Sequence, residues 1–133
     1  MTEPTGLACP IGRRHISLPS RTRSGRCGHP RMREGDTVIL DIEVLPRPAG
    51  TPESQYAHVE AAIAVIQASG LAYEVHALGT TVEGDPAAVW YLARRIHEAT
   101  LDAGAEHVVT IAKLYESRAA NPSTVASLTA KFR

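Results

Sequence analysis

Residues 37–46, TVILDIEVLP, alternate apolar and polar side chains with a period of two. Val38, Leu40, Ile42 and Val44 fall on one face, and Ile39, Asp41, Glu43 and Leu45 on the other. The β-branched content favours extended chain, and Pro46 ends the run. One face is plainly core. The other mixes apolar with acidic side chains, a poor match for a fully wet surface. The chain must therefore build a sheet with helices on one side and something beyond water on the other.

The segments after Pro46 supply the helices. Thr51-Pro52 reads as an N-cap with proline at the first helical position, and Glu53 sits favourably near the positive helix end. Val59, Ala62, Ile63 and Ile66 then recur at helical spacing, and Gly70 closes the segment. AYEVHALG alternates again, and TTVEG after Gly79 is a second short extended run, giving a hairpin or one strand bent at the glycine. Asp85-Pro86 repeats the cap-plus-proline device and opens a helix with Val89, Leu92, Ala93, Ile96 and Thr100 as its core stripe, stopped by Gly104. AEHVVTIAKLYES is the last strand. Asn121-Pro122 predicts a third, short helix with Val125, Leu128 and Phe132 on one side.

The order β-α-β-β-α-β plus a short C-terminal helix predicts an α+β ferredoxin-like sandwich, two helices on one face of a four-stranded antiparallel sheet. In that fold the second face is open. Ile39 and Leu45 on the first strand, and Val109 and Ile111 opposite Val108 and Leu114 on the last, are too apolar for water. A homo-oligomer with sheets packed together is the expectation.

The chain is formally neutral, but the charge is divided. Residues 1–35 hold seven arginines against Glu3 and Glu34, whereas residues 36–133 hold seven basic and twelve acidic side chains. The first segment has no apolar period and cannot bury enough surface to offset its ordering entropy. It reads as a disordered Arg-rich tail or as a mis-assigned start with Met32 beginning the working protein. An organellar leader or a nucleic-acid contact by the arginines are the weaker alternatives. Residues 36–133 are the folded domain. Cys9, Cys27 and His29 lack metal-ligand spacing, and no run reaches the ~20 apolar residues of a membrane helix. A cytoplasmic protein is expected, without membrane or nucleic-acid partners.

The furniture of catalysis is missing. Asp41 and Glu43 share a strand face about 7 Å apart, which suits a solvated or interface pair, or a pocket for a cation or amine. His76, His97 and His107 have no ligand spacing, and no phosphate loop or nucleophile elbow occurs. No catalytic residue, metal or cofactor is assigned. GTTVEG remains. Gly79 and Gly84 offer positive φ or close approach, Thr80 and Thr81 point to opposite faces, and Glu83 can attract a positive charge or cap the following helix. Hairpin structure and ligand contact both stay open on the residues alone.

HALGTTVEGD, the helix with RIHEATLDAG and the strand VVTIAKLYESR together resemble the small thiamine-binding protein family, single-domain relatives of the YkoF-like thiamine/hydroxymethylpyrimidine binders. The likeness covers roughly residues 37–131, and its marks are Gly79-Thr80-Thr81-x-Glu83-Gly84, His97, Gly104, Thr110 and Arg118. Pro46 matches too, but Arg47-Pro48 follows where the pattern has a residue and then glycine. The resemblance implies a non-enzymatic, cytoplasmic binder of thiamine or its pyrimidine moiety, with thiamine as ligand rather than cofactor, assembled as a dimer or tetramer. The implied ligand-binding residues are Asp41, Glu43, His76, Thr80, Thr81 and Glu83, with a tyrosine or Trp90 to stack on a ring. An enzyme of unknown reaction on the same scaffold, or a purely structural or regulatory oligomer, are the rival readings.

Overall fold

The computed structural model describes residues 35–133. The readings placed on residues 1–34, including Cys9, Cys27 and His29, lie outside the described residues.

Four strands form one sheet: β1 (Thr37–Arg47), β2 (Ala72–His76), β3 (Gly79–Gly84) and β4 (His107–Ser117), in the order β2-β3-β1-β4. All pairings are antiparallel. Helices α1 (Ala57–Ala68) and α2 (Pro86–Asp102) cover one face, the arrangement that the pattern of apolar residues predicts. Val38, Leu40 and Ile42 from β1 and Val82 from β3 meet Ala62 and Ile66 from α1 and Val89, Leu92 and Ile96 from α2, all buried. Leu40, at 0% exposure, stands at the centre of this core.

Asp85 caps α2 as expected, its carboxylate accepting from the Ala88 amide at 3.1 Å, with Pro86 behind it. Thr100 is fully buried in this helix because its hydroxyl donates back to the Ile96 carbonyl at 2.9 Å. Gly70 and Gly104 end the two helices with φ of 73° and 119°, the region only glycine enters freely.

Two helix starts differ from expectation. Thr51 and Pro52 lie in a turn, in which the Thr51 hydroxyl accepts from the Ser54 amide at 3.1 Å, and α1 begins only at Ala57. Thr51 caps a local turn rather than the helix, because its partner amide belongs to a chain that has not yet become α-helical. At the C-terminus, Thr124 rather than Asn121 caps α3 (Val125–Thr129), through a capping box with Ser127. A 3-10 turn, Ala130–Phe132, comes next. Five residues make too short a helix for a buried stripe, and Leu128 and Phe132 are 54% and 77% exposed.

His58 joins the first loop to the helices. It is 3% exposed and its Nδ1–H donates to the Pro48 carbonyl at 2.7 Å. Its backbone amide bonds the Ala49 carbonyl, and Nε2 lies 3.2 Å from where a Cβ on Gly104 would stand. The Arg47 carbonyl accepts from the Glu106 amide at 2.9 Å, so the departure from the family pattern at Arg47-Pro48 sits in a well-bonded corner.

Candidate functional site

The sheet register creates a gap at one end. β1 pairs with β4 along its whole length, Thr37 to Arg47, but with β3 only from Val38 to Ile42. Beyond Ile42 the β3 side of β1 is unpaired, and α1 and the β2–β3 turn frame the space. A cleft of about 240 Å³ results. Val59 and Ile63, half-buried, belong to its wall, so the apolar stripe of α1 is shared between core and cleft. Val75, Leu78 and Ile96 add apolar surface.

Three sequence-predicted residues line this cleft: Glu43, His76 and Thr80. Thr80 is 5% exposed and faces the helix side with Val82. No hydrogen bond of the described residues uses its hydroxyl, and none of their polar side-chain atoms is sealed away without a partner. The hydroxyl therefore opens onto the cleft. Glu43 and His76 border the cleft as well, but strand alternation turns their side chains to the other sheet face, Glu43 two residues from Asp41 and His76 two residues from Glu74.

Asp41, Thr81 and Glu83 lie on that opposite face too, away from the cleft. Asp41 pairs with Lys113 at 2.6 Å across the β1–β4 ladder. The hydrogen bond and charge of Asp41, with a further contribution from Glu43, hold the Lys113 ammonium above the ordinary lysine range. Thr81 is the cross-strand partner of Asp41. Glu83 accepts from the Val125 amide at 2.7 Å, so the helix it caps is α3, not the α2 that follows it in sequence. A second cavity of about 250 Å³ lies there between β2, β3 and the C-terminal segment, with Glu74, Thr81, Glu83 and Arg133 on its walls. Gly79 and Gly84 serve by close approach rather than by positive φ: a Cβ on Gly79 would meet the Ile42 carbonyl at 3.1 Å, and one on Gly84 the Leu71 side chain at 2.9 Å.

Of the histidines, His97 bonds Thr110 between α2 and β4 at 2.8 Å, which accounts for both as paired structural marks. Trp90 is 56% exposed on α2 and lines none of these cavities. His58, the buried histidine that anchors the first loop, is absent from the sequence-based candidates, because its place two residues into α1 carries no periodic signal. Among the described residues no group of three His, Cys, Asp or Glu side chains converges as a metal site, and no helix is long and apolar enough to cross a membrane.

A four-stranded ferredoxin-like sheet with an apolar cleft between one helix and a hairpin defines a small α+β domain. Residues 40–131 match the family described as thiamine-binding protein, and the chain belongs to it. It is 33% identical over 97 residues to the UPF0045 protein sll0230 of Synechocystis, spanning 73% of this chain and 78% of that protein. Among solved structures, a Bacillus cereus domain of unknown function, DUF77, superposes with a TM-score of 0.65 at 34% identity, over 73% of this chain and 90% of the other. A Thermotoga maritima protein assigned provisionally to thiamine biosynthesis or salvage shares the fold, with a TM-score of 0.60 at 24% identity over 73% and 99% of the two chains.

Proposed function

We propose that this protein binds thiamine or its hydroxymethylpyrimidine moiety, without catalysing a reaction, in the cleft between α1 and the β2–β3 hairpin. The observation that carries the reading is the Thr80 hydroxyl, unpartnered at the wall of an otherwise apolar recess in a chain of the thiamine-binding family. A flat heteroaromatic ring gains from the apolar lining, and the hydroxyl can donate to a ring nitrogen or accept from an exocyclic amine. Glu43, which borders the cleft from the opposite sheet face, adds negative potential that suits the permanent thiazolium charge, and His76 borders the cleft from the same face. Asp41, Thr81 and Glu83 act from the other face, by supporting the sheet. Titration calorimetry of the full chain with thiamine and with hydroxymethylpyrimidine tests this directly. Absence of heat from both at millimolar ligand would sink it.

Self-association belongs to the same reading. The β1–β4 half of the second face exposes Leu45, Val109, Ile111 and Tyr115 at 50%, 59%, 45% and 43%, an apolar surface in which Glu43 faces Ile111 and the Asp41–Lys113 pair separates Tyr115 from the other three. A second copy stacked on this half buries it, giving a dimer or tetramer in the cytoplasm. Sedimentation at micromolar concentration should show an oligomer that Ile111→Asp dissociates; a wild-type monomer would refute the assembly.

A further inference from the structure

The hairpin that walls the cleft has the weakest support in the sheet. β2 has five residues, lies at the sheet edge and is exposed along its whole length, yet it lends Val75 and His76 to the cleft. Its support comes from the opposite face. The Val125 amide, one of those that a helix start leaves without an intrahelical partner, donates to the Glu83 carboxylate from 42 residues away. Such a charge-assisted bond is stronger than a neutral one. At the other end of the segment, Arg133 closes on Glu74 at 2.5 Å, and this contact holds the Glu74 carboxyl below its ordinary range. Glu74 and Glu83 are on β2 and β3, so the two contacts bridge both strands of the hairpin.

We propose that residues 124–133 are a strap across the hairpin, and that Glu83 is a positioning residue that holds the cleft wall in place through α3 without touching the ligand. The consequence for ligand affinity rests on thiamine binding in the cleft; the strap itself does not. A residue that marks the family so visibly would then serve architecture on one face so that Thr80, three positions earlier on the other, meets its ligand in a fixed recess.

The test uses full-chain variants. Val125→Pro deletes the donor without disturbing the backbone path: proline is accepted at the first helical position, and Thr124 before it already has the extended backbone (φ −107°, ψ 163°) that a pre-proline residue adopts. Val125→Ala, which keeps the amide, controls for the lost side chain. The capping-box bonds of Thr124 and Ser127 do not use that amide. V125P and E83A should each speed hydrogen exchange of the β2 amides and weaken thiamine binding about fivefold, with the double variant no worse than either single one. E83Q keeps an acceptor oxygen but loses the charge, and should fall between wild type and E83A in hydrogen exchange, with an affinity loss no larger than that of V125P. Unchanged exchange in V125P and E83A would overturn the strap, as would additive losses in the double variant. A fall in affinity with E83Q that V125P does not share would overturn the positioning role and assign the Glu83 charge to the ligand. If the wild-type protein binds no thiamine, the cleft reading fails, and the exchange rates still decide whether the strap exists.

Discussion

Thr80→Val separates a ligand contact from a structural one. The two side chains have nearly the same shape, and position 80 is a strand residue at 5% exposure, where valine is at home. The threonine hydroxyl takes no hydrogen bond among the described residues, so its replacement breaks nothing in the protein. Stability should hold or rise, by up to about 1 kcal/mol, because a partly desolvated hydroxyl without a bond is a cost that valine lacks. For a domain of this size that is a rise in Tm of up to about 4–8 °C. Binding should move the other way. Loss of one hydrogen bond of about 1 kcal/mol weakens thiamine roughly fivefold. Thr81→Val, one residue on and on the opposite face, is the control and should leave the affinity unchanged. Thermal unfolding and calorimetry on the same samples give both numbers. A T80V protein that loses more than about 1 kcal/mol of stability, or that binds thiamine as wild type does, would refute the reasoning. A T81V protein with weakened binding would move the ligand to the cavity beneath α3.

Three other perturbations probe the packing and the strap. Leu40→Ala should cost about 2–5 kcal/mol in denaturant unfolding, since Leu40 is fully enclosed between sheet and helices. Gly104→Ala should destabilise by more than about 1 kcal/mol, because φ is 119° there and the new methyl would stand 3.2 Å from His58 Nε2; if its unfolding curve matches wild type, the corner is looser than described. Acid should release the strap before the core. Arg133 lowers the Glu74 pKa below 4.5, so this pair contributes stability above that value and loses it as pH falls through the depressed folded value. Nuclear magnetic resonance titration of the Arg133 side chain should therefore show its change below pH 4.5, and a change centred above it would contradict the pairing.

The periodic features of the chain were readable because they are local. The alternation of β1 predicts Val38, Leu40 and Ile42 as buried, and Val44 on the same face is half-buried; the α2 stripe predicts Val89, Leu92, Ile96 and Thr100 as buried, and its Ala93 is half-buried. Asp85-Pro86 marks a helix start correctly because the acceptor and its amide lie three residues apart. Thr51-Pro52 shows the same signature with a different outcome, since a capped turn needs the same residues as a capped helix and only the chain after Gln55 decides between them. The Glu83–Val125 bond was out of reach for another reason. Sequence supplies a carboxylate in search of a partner, and the fold delivers an amide from the far end of the domain.

The strand geometry also decides how GTTVEG can be used. Adjacent residues in a strand point to opposite sides of the sheet, so Thr80 and Thr81 cannot serve one ligand together. The six candidates divide accordingly: Thr80 faces the helices and the cleft, whereas Asp41, Glu43, His76, Thr81 and Glu83 point to the face that Lys113 and α3 contact, although Glu43 and His76 also border the cleft. A motif contiguous in sequence thus answers two constraints at once. In the reading proposed above, one face offers an unpartnered hydroxyl to an apolar recess, and the other holds the edge hairpin that closes that recess. Changing Glu83 and changing Thr80 should therefore both weaken binding, but only the first should loosen the hairpin in the absence of ligand.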